Sequence, residues 1–157
     1  MMKSLLKAVV CSCVIAGTAA PAFAAEPFEA EIGARKALMQ VVKFNMGPLG
    51  AMAKGKRDYD PALAEALAKN IYSTSVMDTS LMWPEGSDNS VEALSEETKA
   101  KPGIWTNNAD LQDKQKAWVD ASEQMAASAG KGLDSLRKAM GPLGKSCKGC
   151  HKEYKAK

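Results

Sequence analysis

A C-x-x-C-H segment near the C-terminus, Cys147 to His151, constrains this chain of 157 residues more than any other feature. Two thiols at this spacing can add across the two vinyl groups of one haem, and the next residue then reaches the axial position of the iron. The segment therefore predicts one covalently attached haem c, with thioether bonds from Cys147 and Cys150 and with His151 as the proximal iron ligand.

Other sites with paired cysteines have little support elsewhere in the chain. A zinc site needs four ligands, but His151 is the only histidine, and the two remaining cysteines lie near the N-terminus. A thioredoxin-like motif needs a βαβ setting, and no alternating strand pattern precedes Cys147. A structural disulfide between Cys147 and Cys150 remains the alternative, although it gives no reason for the adjacent histidine.

Residues 1–24 have the pattern of a cleaved signal peptide. Two lysines precede an apolar run over residues 8–20, which is too short to span a bilayer, and Ala22-Phe23-Ala24 forms an A-x-A cleavage site. The mature protein is therefore predicted to begin at Ala25 and to act in the periplasm, in agreement with haem attachment outside the cytoplasm. A lipoprotein anchor at Cys13 is less favoured, because only a few apolar residues precede it.

The predicted mature chain, residues 25–157, has the length of one domain. Loss of the two leader lysines leaves 19 basic and 18 acidic residues, a net charge of +1. This balance gives no indication of nucleic-acid binding, and no second long apolar run indicates membrane insertion. Five C-terminal lysines have two interpretations, a solvated helix end or a docking rim for an acidic redox partner, and the first is commoner for charge clusters.

Apolar side chains recur at three- and four-residue spacing in four stretches, which predicts four helices and no strand. The predicted helices cover residues 27–54, 61–79, 109–129 and 132–155. Asp60 and Pro61 are suited to begin the second helix, and Gly130 is suited to end the third. The fold class is therefore all-α, an antiparallel four-helix bundle with the haem near the C-terminal helix.

Two further features bear on the arrangement of these helices. A long connection over residues 80–108 is bracketed by Trp83 and Trp105, which are expected to pin it to the bundle. The sequence Met-Gly-Pro-Leu-Gly occurs twice, at 46–50 and at 140–144. Small residues at these positions suit helices that pass close to each other or to a haem, and the proline is expected to kink the first helix without ending it.

A C-x-x-C-H at the end of a four-helix pattern resembles the class II c-type cytochromes, that is, cytochrome c′ and its low-spin relatives. Most c-type cytochromes carry this motif near the N-terminus, so its late position is discriminating. The resemblance covers essentially the whole mature chain, and these segments carry it: Arg35-Lys36-Ala37-Leu38-Met39, Ala53-Lys54-Gly55-Lys56, Tyr59-Asp60, Trp83-Pro84-Glu85-Gly86-Ser87, Thr98-Lys99-Ala100-Lys101, Ile104-Trp105, and Cys147 to Lys155.

The resemblance also implies roles for residues outside the C-x-x-C-H. Arg35 matches an arginine that neutralises a haem propionate, and Lys36 beside it matches a haem contact. Met39, one turn later, matches the residue over the distal side of the iron. Thr98 falls in the loop that closes over the haem edge, and Lys155 is a basic residue near the proximal histidine. Residue chemistry alone leaves two alternatives open, namely Arg35 as a surface arginine and Met39 as a core side chain.

Two functions fit this set of residues. The first is a periplasmic electron carrier with six-coordinate iron, bound by His151 and Met39, that exchanges electrons with periplasmic redox proteins. The second is a five-coordinate cytochrome c′ that binds nitric oxide or carbon monoxide, with Met39 only shielding the distal pocket. An enzyme is not expected, because no second histidine is present for a distal role. The resemblance further implies a homodimer formed through the first two helices.

Overall fold

Five α-helices and two 3₁₀ turns build the structure, a computed structural model that describes residues 27–157. The long helices are α1 (Glu29–Ala53), α2 (Pro61–Ser75), α4 (Asn108–Ser128) and α5 (Leu133–Tyr154), and α3 (Gly103–Thr106) is a single turn. They form the all-α bundle that the sequence predicts, with no β-strand among the described residues. The predicted signal peptide and the start at Ala25 lie outside the described residues.

The apolar positions predicted along each helix meet in one core. The side chains of Leu49 and Met52 from α1, Ile71 from α2, Met125 from α4 and Leu143 from α5 are all fully buried. Each helix contributes a stripe at helical spacing, so burial of these stripes against one another holds the four long helices together.

Local signals explain where several elements begin and end. The Asp60 carboxylate accepts a hydrogen bond from the Leu63 amide (3.0 Å), and Pro61 occupies the first position of α2, as predicted. The prediction for the end of α2 was wrong, because the helix stops at Ser75 rather than near Thr79. The Ser75 hydroxyl contacts the Ser122 hydroxyl of α4 at 2.7 Å, so a buried polar contact between helices lies at this end.

Gly130 acts through its size rather than through a left-handed conformation. Helix α4 ends at Ser128, and a Cβ on Gly130 would lie 3.1 Å from Glu65 Cβ and 3.2 Å from the Pro61 carbonyl oxygen. The Tyr59 hydroxyl lies in the same region, where it donates to the Ala129 carbonyl and accepts from the Gly132 amide, both at 2.8 Å. The turn between α4 and α5 is therefore held against the start of α2.

The long connection after α2 is ordered by its two tryptophans, as the sequence predicts. The Trp105 indole N–H donates to the Trp83 carbonyl oxygen (3.0 Å), and the two ring centroids lie 6.3 Å apart at a tilted angle. The 3₁₀ turns Ser80–Met82 and Glu92–Leu94 and helix α3 lie within this segment. The buried side chain of Leu94 anchors its middle.

Replacement of Leu49 by alanine tests the shared core. Leu49 is fully buried, so we expect a loss of about 2–5 kcal/mol in the free energy of unfolding, measured by urea denaturation. Leu81→Ala is the matched control, because Leu81 is 90% exposed and should change stability by no more than about 0.5 kcal/mol. Equal losses in the two variants would contradict the assignment of the core.

Candidate haem site

The C-x-x-C-H occupies the last turns of α5, where Cys147 and Cys150 are half-buried and His151 is exposed. Cys147 and Cys150 are free, partly buried thiols, and three-residue spacing places them as neighbours on one helical face. Burial raises the pKa of both thiols. Partial burial, assisted by the charge of Lys155, lowers the pKa of His151 and favours the neutral imidazole, which is the form that binds metals.

Helices α1 and α5 run antiparallel in a register that is fixed by two contacts. The Arg137 guanidinium donates to the Ala53 carbonyl oxygen (2.9 Å), and a Cβ on Gly50 would lie 3.8 Å from Met140 Cε. Met39 lies eleven residues before Gly50 on α1, and His151 lies eleven residues after Met140 on α5. Because every helical residue rises by the same distance, Met39 and His151 lie at the same height along the bundle. The proposed proximal and distal residues therefore lie at one height of the bundle, as facing helices require.

Arg35 lies on the buried side of α1, one turn before Met39, and is 5% exposed. Its guanidinium donates to the Ser87 hydroxyl and to the Ser87 carbonyl oxygen, both at 3.0 Å, and lies 4.6 Å from the centre of the Trp83 ring. Burial lowers the pKa of Arg35, and Glu31 partly offsets this effect. An arginine nevertheless stays protonated in proteins, so this position holds a buried positive charge.

The connection between Trp83 and Lys101 forms a strap that joins this part of α1 to the end of α5. The Asn89 amide donates to the Ala100 carbonyl (2.8 Å), and Ala100 forms an isolated antiparallel bridge with Lys155. Lys36 forms an exposed ion pair with Glu97 at 3.5 Å, and the Lys101 ammonium donates to the Glu153 carbonyl at 3.0 Å.

Thr98 lies within this strap and is buried. Its hydroxyl oxygen accepts a hydrogen bond from the Ala100 amide (3.1 Å), and its own amide donates to the Leu94 carbonyl (3.0 Å). The side chain therefore shapes the turn that leads to the bridge with α5. The structure thus brings the segments of all the predicted site residues to one end of the bundle.

A polar network beside Cys150 was not predicted from the sequence. The buried Tyr154 donates its hydroxyl hydrogen to the Asp110 carboxylate (2.6 Å), which also pairs with Lys114 at 3.2 Å. Asp110 raises the pKa of the Cys150 thiol and Lys114 lowers it, so both charges act close to this cysteine. The only signal in the sequence is the position of Tyr154 on the inward face of the last helix. Its partner Asp110 on α4 is 44 positions away, so no local pattern predicts the hydrogen bond.

These residues fit a covalently attached haem. Two free thiols and a neighbouring imidazole, which is neutral at neutral pH, provide the donor set that thioether formation and iron ligation require. The buried guanidinium of Arg35 forms no ion pair with a carboxylate among residues 27–157. A buried charge is normally paired, so this position favours an anionic group such as a propionate. A disulfide, the remaining alternative, is not formed between Cys147 and Cys150.

A helical bundle with a C-x-x-C-H in its last long helix defines a class II c-type cytochrome, and comparisons with known proteins agree. The family model described as Cytochrome C' matches residues 30–155. A cytochrome c' of Cereibacter sphaeroides is 33% identical over 153 residues, which cover 97% of this chain and 99% of the relative. A cytochrome c-554 of the same organism is 34% identical over 141 residues, with 88% and 90% covered.

A solved structure supports the same assignment. The structure named as cytochrome c' from Rhodobacter Spheriodes matches with a TM-score of 0.77 at 34% identity, and the match covers 83% of this chain and 98% of the solved one. The protein therefore belongs to the cytochrome c′ family. As a member of that family of monohaem c-type cytochromes, it binds one covalently attached haem c.

The Tyr154 network predicts a specific dependence of stability on pH. The hydrogen bond to Asp110 raises the pKa of Tyr154 to about 12, whereas an unfolded tyrosine titrates near ~10. Between these values the unfolded chain releases the tyrosine proton and the folded protein retains it, so the free energy of unfolding should fall as pH rises. Urea unfolding midpoints measured from pH ~9 to ~12 should fall more steeply in the wild-type protein than in Tyr154→Phe. Parallel curves would show that this hydroxyl makes no contribution.

Proposed function

We propose that this protein is a periplasmic electron carrier, with Cys147 and Cys150 attached to the haem and with His151 and Met39 as the axial ligands. When bound, the haem supplies one-electron redox chemistry. Binding of the iron by the methionine thioether of Met39 would raise its reduction potential. The chain itself provides two candidate ligands at one height on facing helices, a buried cation and a strap that joins α1 to the end of α5. These features suit a site whose geometry changes little when one electron is gained or lost.

The position of Met39 is the observation that carries this proposal. Of the other methionines on the long helices, Met52 and Met125 are fully buried in the core, and Met46 and Met140 pack against it. Met39 is 40% exposed and is not part of the core, so its thioether is not committed to packing. It also lies level with His151 along the bundle. Packing and register therefore favour Met39 without reference to the family.

Arg35, Lys36 and Thr98 are proposed to contact the haem periphery. Arg35 uses two of its N–H groups for Ser87, and a guanidinium has five, so donors remain for a propionate. Lys36 is held at the strap by Glu97, and Thr98 lies in the same strap. A positive charge near the haem repels ferric iron more than ferrous iron, because ferrous iron carries one positive charge less. A cation that offsets a propionate therefore stabilises the ferrous state.

Removal of the Arg35 charge should therefore lower the midpoint potential. For Arg35→Leu we expect a decrease on the order of 60 mV, equivalent to about 1.4 kcal/mol for a one-electron couple, in a spectroelectrochemical titration. Ser87→Ala is the matched control, since it loosens the same strap but keeps the charge, and Arg35→Lys should restore most of the potential. An unchanged potential in Arg35→Leu would reduce Arg35 to a structural residue.

Gas binding is the second candidate, and it rests on the relatives. A solved cytochrome c' of Alcaligenes xylosoxidans is described as a ferrous variant with bound NO, at 27% identity and a TM-score of 0.70. In that case Met39 would line an apolar distal pocket, and nitric oxide or carbon monoxide would bind directly. Relatives named cytochrome c' and cytochrome c-554 are about equally similar, at 33% and 34% identity, so similarity does not separate the two functions.

An optical spectrum with a Met39 variant tests the choice. If Met39 binds the iron, the ferric protein is low-spin with a weak long-wavelength sulfur-to-iron charge-transfer band, and carbon monoxide binds the ferrous form slowly. Met39→Ala should then become high-spin and bind carbon monoxide faster by about tenfold or more, since no ligand must be displaced. Met77→Ala is the matched control, because Met77 is similarly exposed but lies beyond α2. A high-spin native spectrum would reject the carrier in favour of gas binding.

The remaining parts of the proposal concern location and assembly. Periplasmic action is supported by the signal-peptide pattern, and no helix in residues 27–157 is long and apolar enough to cross a membrane. We propose no enzymatic activity, because the only histidine is assigned to the proximal side. A homodimer is supported by two exposed apolar side chains on α1, Val41 and Phe44. It is also supported by a structurally similar cytochrome c' that is described as having a ligand-controlled dimer dissociation.

A further inference from the structure

Two separate chain segments bring lysines together around the end of α5. The antiparallel bridge of Ala100 with Lys155, and the hydrogen bond from the Ala156 amide to the Lys99 carbonyl (2.8 Å), set the strap against the C-terminal residues. The strap adds two lysines to the five near the C-terminus. We call this set the lysine face, and it consists of Lys99, Lys101, Lys145, Lys148, Lys152, Lys155 and Lys157.

The lysine face makes the protein strongly asymmetric in charge. Residues 98–101 and 145–157, which hold these seven lysines, contain one acidic residue, Glu153, and carry a charge of +6, whereas the earlier part of the strap is acidic, with Glu85, Asp88, Glu92, Glu96 and Glu97. The rest of residues 27–157 has 12 basic and 16 acidic side chains, a net charge of −4. A nearly neutral total thus conceals a dipole, and an asymmetry of this kind orients a charged partner during encounter.

Stabilisation of the helix end accounts for only part of this cluster. Lys101 does cap the helix, since its ammonium donates to the carbonyls of Lys152 and Glu153 at 3.5 and 3.0 Å. The Lys152 ammonium nitrogen lies 4.0 Å from a Glu153 carboxylate oxygen. This ion pair is exposed to solvent and therefore weak. The other five have no carboxylate partner among residues 27–157, although Lys114 elsewhere in the bundle does.

The lysine face borders the haem attachment segment directly. Lys145, Lys148 and Lys152 recur at three- and four-residue spacing and cover an arc of about 60° around α5, and Lys155 follows directly after the helix. His151 lies next to this arc, and the Lys155 amide donates to the His151 carbonyl oxygen (3.2 Å). A partner bound to the lysine face would therefore stand beside the proximal side of the site.

We propose that the lysine face is the docking surface for an acidic redox protein. This proposal rests on the electron-carrier function proposed above, and it identifies the kind of partner. Charge steering with little apolar burial suits the small, short-lived encounters of redox proteins. An anionic membrane would be the other polyanionic target, but membrane-binding surfaces combine basic with exposed apolar side chains. Of the exposed large apolar side chains, only Val91 lies in the strap, and none lies in residues 98–101 or 145–157, which hold the lysines.

Charge reversal at two ends of the bundle tests the proposal. One variant of the holoprotein carries Lys99→Glu, Lys148→Glu and Lys152→Glu on the lysine face. The control carries Lys54→Glu, Lys56→Glu and Lys138→Glu, which change the net charge equally but lie near the contact of Arg137 with Ala53, away from the strap. Far-UV circular dichroism and the haem spectrum establish that both variants are folded and loaded.

Electron-transfer rates are measured with probes of opposite charge. Flavodoxin hydroquinone, an acidic protein donor, gives one electron to the ferric protein and becomes the semiquinone, and tris(phenanthroline)cobalt(III), a cation, takes one electron from the ferrous protein. At an ionic strength of about 10 mM we expect the face variant to react with flavodoxin about tenfold more slowly, and the control to react at nearly the wild-type rate. The cobalt complex should react faster with the face variant.

Three results would overturn the proposal. Equal slowing in both variants would mean that net charge alone governs the rate. An unchanged rate in the face variant would place docking elsewhere. Sedimentation of the wild-type protein with vesicles of anionic phosphatidylglycerol, lost in the face variant at about 150 mM salt, would identify a membrane surface instead. The optical spectrum of the ferric protein tests the electron-carrier function separately, because the spin state of the iron does not depend on these lysines.

Discussion

The antiparallel packing of α1 against α5 is the constraint on which the rest of the site depends. The bond from Arg137 to the Ala53 carbonyl and the close approach of Gly50 to Met140 set one register for both helices. In that register the residue proposed over the distal side and the C-x-x-C-H histidine lie at the same height. A shift of one turn would move them about 5.4 Å apart along the axis, so the core contacts also determine the geometry available to a cofactor.

Arg35 links the fold to the electrostatics of the site. Its guanidinium fastens the strap through Ser87 and Trp83, and it brings a positive charge into the protein. Burial of a cation without a carboxylate partner costs free energy of folding, so buried charges in proteins are normally paired with an anionic group. The same side chain thus holds the strap against α1 and keeps a positive charge buried beside it.

Local patterns in the sequence predicted most of the helices but not the contacts between them. The helical spacing of Leu67 and Ile71, the cap at Asp60 and the C-x-x-C-H can all be read within a few neighbouring residues. The bond of Arg35 to Ser87 and that of Tyr154 to Asp110 join residues that are 52 and 44 positions apart. No local spacing indicates such partners, because tertiary packing alone brings them together.

The repeated Met-Gly-Pro-Leu-Gly segments have a consequence for how the chain can change. In the register of α1 and α5, residues 46–50 run antiparallel beside residues 140–144, and Met140 faces Gly50, whereas a Cβ on Gly144 would meet no atom within 4 Å. Leu49 and Leu143 are both fully buried, and Met46 and Met140 both pack against the core. The two copies have the same sequence but make unequal contacts across the pair of helices. An added methyl group at Gly47, Gly141 or Gly144 would meet no atom within 4 Å, so of these four glycines only Gly50 is expected to change together with the residue that faces it, Met140.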